Sequence, residues 1–338
     1  MDIDLGILRG LEREKEIPFA ELVSIIEAAI LAAYYKNMGL DPKEHKARAV
    51  LDQKTGSVHI FEIIWNEETR ETSENDVTPE NFGRIAAYSA KQVIAQRLRE
   101  INDEGLLGEF KGKEGDIVAG VIQQGPRAYM IHVDLGSIEA VLPPEEQVAG
   151  EEYTHGKRIR VLVTNVNKGT RGPQVTVSRS HPTLVRKLFA LEVPEIANGT
   201  VEIVQVAREA GHRTKIAVRA HEAGVNAKGA CIGELGQRVR AVSAELNDEK
   251  IDIVDYNTDI CEFVSQALSP AKVSSAYIIG KGDPKASGDA RVTHVRALVP
   301  DYQLSLAIGK EGQNVRLAAK LTGAKIDVQP ESILEGDE

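Results

Sequence analysis

With 338 residues, 42% hydrophobic and 27% charged, the chain has the composition of soluble globular protein and room for two to four domains. It holds no apolar run long enough to span a membrane, its start (Met-Asp-Ile-Asp-Leu) lacks the pattern of a secretory signal, and Cys231 and Cys261 are too few for a disulfide scaffold or a polythiolate zinc site. A cytoplasmic location is therefore expected. The net charge of -10 is uneven: -8 over 1–110, +1 over 111–182, +1 over 183–330 and -4 over 331–338. The balanced blocks lack a broad basic field, so any nucleic-acid binding there must rest on shaped local contacts.

Residues 1–110 read as one α+β domain. Pro18 opens a helix whose Leu22, Ile25, Ile26, Ala29, Ile30 and Ala33 recur at helical spacing, and Gly39 and Pro42 end it. Extended runs at 47–51 and 58–65 flank a Lys54-Thr55-Gly56 turn. Trp65 is assigned to the core of this domain. A second long helix starts near Gly83, with Ile85, Val93, Ile94, Leu98 and Ile101 placed for burial, and leads toward the next domain.

Residues 111–182 switch to short strands. The candidates are 116–123, 128–134, 138–142, 158–166 and 174–179, separated by Gly125-Pro126, Gly136, Pro143-Pro144 and Gly172-Pro173. Five strands in this length fit a small OB-type barrel. The phrases Gly115-Asp116-Ile117-Val118-Ala119-Gly120-Val121-Ile122, Val133-Asp134-Leu135-Gly136 and Gln174-Val175-Thr176-Val177-Ser178-Arg179-Ser180 resemble the S1 type of OB domain. Tyr129 is the one aromatic placed for base stacking on it.

Residues 183–330 contain an internal repeat. Ile232-Gly233-Glu234-Leu235-Gly236-Gln237-Arg238-Val239-Arg240 matches Ile308-Gly309-Lys310-Glu311-Gly312-Gln313-Asn314-Val315-Arg316 at an offset of 76, with six of nine positions identical. Lys250-Ile251-Asp252-Ile253 then matches Lys325-Ile326-Asp327-Val328. Each copy has strand-like runs before the match, at 201–207 and 215–219 and at 271–279 and 290–299. Leading helices are expected at 184–191 and 260–268. The order is helix, strand, strand, helix, Gly-x-x-Gly, helix, strand.

The chemistry of Gly-x-x-Gly between two helices is specific. Two missing Cβ atoms let a polymer backbone approach, and the second helix begins with N–H groups aimed at a phosphate. Ile232 with Val239, and Ile308 with Val315, would floor a groove for bases. This is KH recognition, in which the loop holds the backbone of about four nucleotides. A single copy would be better explained as a glycine-capped turn; two copies in matched context favour the clamp. Gly309-Lys310 is not a P-loop, because Glu311 stands where Ser or Thr is needed. His221-Glu222 is not a zinc-protease helix, since Val225 replaces the second His. Cys231 is assigned to packing and the tail from Glu331 to a solvated, disordered segment.

The RNA-binding candidates are Gly233, Glu234, Leu235, Gly236, Gln237, Arg238 and Arg240 in the first copy. In the second they are Gly309, Lys310, Glu311, Gly312, Gln313, Asn314 and Arg316. No catalytic residue, metal or cofactor is expected. Only Asn257, Thr258 and Asp259 separate the copies, so they should act as one surface, with Leu268, Ala271 and Val273 packing against the first.

The order of domains resembles the bacterial NusA family of transcription elongation factors, in phrasing close to its actinobacterial branch. Phe82-Gly83-Arg84-Ile85-Ala86-Ala87, Leu191-Glu192-Val193-Pro194-Glu195-Ile196, Gly229-Ala230-Cys231-Ile232-Gly233 and 306–318 carry the resemblance. It implies a multidomain α/β chain. The parts are an acidic α+β N-terminal domain over 1–110, a five-stranded OB-type barrel over 111–182, and two tandem type II KH domains over 183–257 and 258–330. An acidic tail follows at 331–338. It implies a non-enzymatic, monomeric factor that binds RNA polymerase core through 1–110 and nascent single-stranded RNA through the KH pair. It also implies modulation of pausing, intrinsic termination and antitermination, with other elongation and antitermination factors and ribosomal proteins as further partners. Regulation through acidic repeats after the second KH domain is not expected. The competing reading is a ribosome- or RNA-processing-associated adaptor. An exoribonuclease of the polynucleotide phosphorylase kind is excluded by domain order and by the lack of a catalytic carboxylate cluster.

Overall fold

A computed structural model of the chain describes residues 3, 5–15, 18–66, 71–80, 82–125, 127, 129–169, 172–282 and 292–334. It divides into two compact units, Met1–Gly105 and Leu106–Glu338. The expected assignments at Pro126, Ala128, Ala290 and 335–338, and the burial of the Trp65 side chain, lie outside the described residues.

The first unit holds α1 (Leu5–Lys15), α2 (Phe19–Met38), a sheet of β1 (Ala47–Leu51), β2 (Val58–Asn66) and β3 (Glu71–Asp76), and the start of α3 (Gly83–Lys111). Pro18 caps α2, and Gly39, at φ 67°, closes it with its N–H on the Tyr35 carbonyl. The buried face is Leu22, Val23, Ile26, Ile30 and Tyr34, so Ile25, Ala29 and Ala33 lie at its edge. On the part of α3 in this unit the buried positions are Ala86 and Ala90, while the longer Ile85 and Ile94 are only partly buried, because small residues let the helix approach the core closely. Two elements of this unit escaped the sequence reading. α1 carries no capping signal. β3, Glu-Thr-Ser-Glu-Asn-Asp, has no apolar alternation and forms because β2 offers it a ladder from Phe61↔Asp76 to Asn66↔Glu71.

The second unit begins with the last turns of α3, whose Phe110 is buried in the barrel core with Leu106 and Leu107 partly buried against it. The division between units therefore falls at Gly105/Leu106, earlier than the expected end of the first domain. The barrel strands are β4 (Ile117–Gln123), β5 (Ile131–Asp134), β6 (Glu139–Leu142), β7 (Arg158–Gly169) and β8 (Gly172–Ser178). They close in the order β4-β5-β6-β8-β7 around Ile122, Val133, Leu142, Val161, Val163, Val175 and Val177. Gly120 permits the closure, since a Cβ there would lie 2.5 Å from Val133 Cγ1.

Two KH units follow. The first is α4 (Pro182–Glu192), the short α5 (Pro194–Ala197), β9 (Val201–Glu209), β10 (Arg213–Ala220), α6 (Ala227–Ile232), α7 (Gln237–Glu245) and β11 (Lys250–Asp255). The second is α8 (Ile260–Ala267), β12 (Ser275–Gly280), β13 (His294–Val299), α9 (Leu304–Ile308), α10 (Gln313–Thr322) and β14 (Lys325–Pro330). In both, the middle strand pairs antiparallel with the strand before it and parallel with the strand after α7 or α10.

A KH sheet covers one face with its own helices. Here β10 is buried without interruption from Thr214 to Val218, the signature of a strand covered on both faces. Leu188, Ile216, Val218, Cys231 and Val242 form the first unit's own core. Ala207, Ala217 and Val254, from the opposite face, pack with Phe263, Val264, Leu268, Leu317 and Leu321 of the second. Leu268 thus joins the seam as expected, and Val273 lies partly buried against it. Ala271 does not: it turns inward onto Val299 and Ala307 of its own unit. Polar ties flank the apolar seam. Lys215 Nζ, fully buried, donates to Asp252 Oδ2 at 2.9 Å and to the Ser269 carbonyl at 2.6 Å. Glu209 accepts from Gln313 Nε2 at 2.8 Å and Arg316 Nε at 2.7 Å.

The barrel is fixed to the first KH unit as firmly. Arg179 is buried, paired with Glu151 at 2.5 Å, and donates to the carbonyls of Arg160 and Glu245. Arg208 meets Glu249 Oε2 at 2.9 Å with both side chains buried, and also donates to the Arg179 carbonyl. Burial alone would push the Glu249 carboxyl up. Arg208, the Thr214 hydroxyl and the Gly211 N–H together hold it below its ordinary value. Arg208→Ala would strand that carboxylate, and a loss of about 3–5 kcal/mol is expected in urea unfolding. A pair of little weight would lose under about 1 kcal/mol, as exposed pairs do. Because the folded carboxyl titrates below the unfolded one, its contribution is full above the ordinary glutamate range. It is lost as pH falls through the folded value, so unfolding midpoints should drop on acidification, less steeply in Glu249→Gln.

Candidate nucleic-acid interface

The two Gly-x-x-Gly loops have one backbone conformation. Gly233 and Gly309 lie at φ 73° and 77°, Leu235 and Glu311 at 48° and 54°, Gly236 and Gly312 at 75° and 74°. The first glycine is required twice over. Its φ is left-handed, and a Cβ would lie 2.7 Å from Arg238 Cγ in the first loop and 2.8 Å from the Asn314 backbone N in the second. At the second glycine a Cβ would meet the Arg240 guanidinium, nearest at Nη1 at 3.3 Å, and Val239 Cγ1 at 3.9 Å in the first loop, and open space in the second. That is the side from which a phosphate could approach. A left-handed non-glycine residue costs about 1–2 kcal/mol, and its recurrence at Leu235 and Glu311 is of the kind found at ligand clamps.

The candidate residues divide by position. Glu234, Leu235, Gln237 and Arg240 are exposed at the first loop, Leu235 to 92%. Lys310, Glu311 and Arg316 are exposed at the second. The others face inward. Arg238 pairs with Glu195 at 2.9 Å and donates to the Ala230 carbonyl, bracing the loop from behind. Asn314, its counterpart, is buried and donates through Nδ2 to the carbonyls of Leu268 and Ala307, each at 2.9 Å. Gln313 and Arg316 reach across the seam to Glu209, and Arg316 also donates to the Glu311 carbonyl. The expected groove floor is half-buried: Ile232 and Val239 pack on the first core, Val315 on the second, and Ile308 is partly exposed.

Sequence reasoning gave Glu195 and Glu209 no part in setting these orientations, and placed Leu268 at the seam without its contact to Asn314. They stand far from the loops in the chain, and no local pattern marks them. On the barrel, Tyr129 is 56% exposed, with Arg127 Nη1 donating to its hydroxyl at 3.1 Å, a flat surface suited to a base. Cys231 is buried, its thiol pushed up to about 12 by burial, as a packing residue. No cluster of metal-ligating side chains and no helix able to cross a membrane occurs among the described residues.

Comparison with known proteins matches every part of this architecture. Residues 179–256 match the family model of the NusA-like first KH domain, and 260–335 that of the NusA-like second KH domain. Residues 111–178 match the S1 RNA binding domain, and 5–75 and 63–104 the NusA N-terminal domain. The transcription termination/antitermination protein NusA of Mycobacterium tuberculosis is 52% identical over 336 residues, covering 97% of this chain and 93% of that protein. The protein of the same name from Bacillus subtilis is 45% identical, covering 97% and 91%. That from Thermus thermophilus is 36% identical, covering 98% and 90%.

Proposed function

The chain belongs to the NusA family of transcription termination/antitermination proteins, and from that premise we propose that it holds nascent single-stranded RNA on its tandem KH surface while bound to RNA polymerase. Through that hold it modulates pausing, intrinsic termination and antitermination. The observation that carries the reading is the pair of loops with one strained conformation, mounted on units that share a buried apolar seam. A rigid pair holds two RNA segments in fixed relation, which suits a factor that must act on one emerging strand. The match to the N-terminal domain favours this reading over a ribosome-associated adaptor. The test is transcription in vitro across an intrinsic terminator. The wild-type chain should change the fraction of terminated transcripts, and the variant Lys310→Asp/Glu311→Asp should lose most of that effect while remaining folded. An unchanged effect would contradict the role of the loops.

The acidic first domain is the proposed polymerase-binding part, since a charge of -8 suits a basic protein surface and repels RNA. Phe110 belongs to the barrel core, so the fragment to test is 1–105. It should bind core polymerase at low salt, weaken as salt rises, and leave single-stranded RNA unbound. Binding of polymerase by 106–338 and not by 1–105 would overturn this assignment.

A further inference from the structure

The two KH sheets share one register, so their positions correspond. Lys215 of β10 stands between Ala207 and Asp252, and Arg296 of β13 stands between Tyr277 and Asp327. In each unit the cation meets the acid on the next strand, at 2.9 Å for Lys215 and 2.8 Å for Arg296. These residues lie on the face turned away from the unit's own helices. On the first sheet α8 and α10 of the second unit cover that face, and Ala207 and Lys215 are 3% and 0% exposed. On the second sheet, among the described residues, the same face is open: Tyr277 is 38% exposed and the Arg296 side chain 32%. Exposed Ile279 extends the apolar surface beside Tyr277, while Leu298, at the place of Ala217, is already buried.

The covered face shows what such a face takes. It seats the amphipathic helix α8, whose Phe263, Val264 and Leu268 cluster with it. Lys215 Nζ donates to the Ser269 carbonyl just past the end of that helix. A cation there satisfies a carbonyl left over at the helix terminus and meets the negative end of its dipole. Arg296 has donors enough to do the same while keeping Asp327. One difference sets the charge of the occupant. On the first face Glu209 accepts from Gln313 and Arg316 of α10. Its counterpart, opposite His294, is Gly280, with exposed Lys281 next in the chain and exposed Lys325 across the sheet. An occupant of the second face therefore carries acid where α10 carries Arg316.

We propose that the outer face of the second KH sheet is a docking surface for an amphipathic helix of a partner protein, seated as α8 is seated on the first sheet. Its apolar stripe lies on Tyr277 and Ile279, its C-terminal carbonyls meet Arg296, and its acidic side chains face Lys281 and Lys325. The surface is separate from both Gly-x-x-Gly loops, which join α6 to α7 and α9 to α10.

The test places the photo-crosslinking residue p-benzoylphenylalanine at Tyr277 of the full chain in growing cells, with exposed Leu191 on α4 as the control site. Mass spectrometry should map the adducts to the C-terminal turns of one acidic amphipathic helix in one partner, and the control site should give none of them. That helix, made as a peptide, should bind the wild-type chain. Tyr277→Asp/Arg296→Glu should weaken it about thirtyfold, as loss of a Tyr or Arg anchor does. Arg296→Gln leaves Asp327 exposed to water, so the thermal midpoint should hold while the peptide weakens about tenfold. Single-stranded RNA should bind both variants as it binds the wild type. Adducts no different from the control, adducts to RNA, to a second copy or to the chain itself, or a peptide that binds folded Arg296→Gln as it binds the wild type would each overturn the docking surface. Loss of RNA binding by folded Arg296→Gln would make this an RNA face and overturn it as well.

Discussion

Unstructured RNA of about eight to twelve nucleotides should bind this chain roughly 10²–10⁴-fold more tightly than RNA of about four to five. One clamp holding about four nucleotides is weak. A second clamp at a fixed distance turns the next contact into an intramolecular one. The gain depends on the copies not moving independently. The three residues between Tyr256 and Ile260 suggest this, but the structure gives a stronger reason. Ala207, Ala217 and Val254 are buried against Leu268, Leu317 and Leu321, and Lys215 and Glu209 tie the rim. A Gly/Ser insertion after Tyr256 should therefore have little effect alone, because the apolar seam still holds. Combined with Ala207→Asp, which places a carboxylate in that seam, it should remove most of the length-dependent gain. Circular dichroism should still report folded protein. Equal affinity for short and long RNA in the wild type would mean that the copies work separately.

Lys310→Asp/Glu311→Asp should abolish binding at the second clamp. Two carboxylates would face the phosphate where a lysine now stands, and like charges at such range repel strongly. The fold should survive, because both side chains are exposed and aspartate tolerates the left-handed backbone at position 311 (φ 54°). The matching change Glu234→Asp/Leu235→Asp should cost less. That loop already carries one acid and has no lysine, so it relies on backbone N–H groups and Arg240. Gel-shift or anisotropy titrations with one RNA compare the two directly. An unchanged affinity for the second-loop variant would remove the clamp from the account.

The repeat, the two matched loops and the barrel strands were legible because each is a short-range pattern. Glycine spacing, alternation and turn residues all act within about ten positions. What the candidate side chains do was less legible. Asn314 and Arg238 follow the second glycine at matching positions and looked alike as RNA ligands. Both turn back toward their own loops, because carbonyls of Ala307 and Ala230 lie behind them. Gln313 and Arg316 meet Glu209, more than a hundred residues earlier. No window of sequence contains such a pair. The same reason hid the buried Arg208–Glu249 pair, whose residues look like ordinary surface charges until the barrel covers them. β3 was missed for the opposite cause: its strand state comes from the neighbour's ladder and not from its own residues.

Two clamps on one rigid body should hold one RNA. Stoichiometric titration tests it most directly, with an RNA of about ten nucleotides against the wild type and each single-loop variant, read by calorimetry. One RNA per wild-type chain is expected, and weaker binding without a change of stoichiometry in either variant. Two RNAs per chain, with each variant keeping one at wild-type affinity, would contradict it.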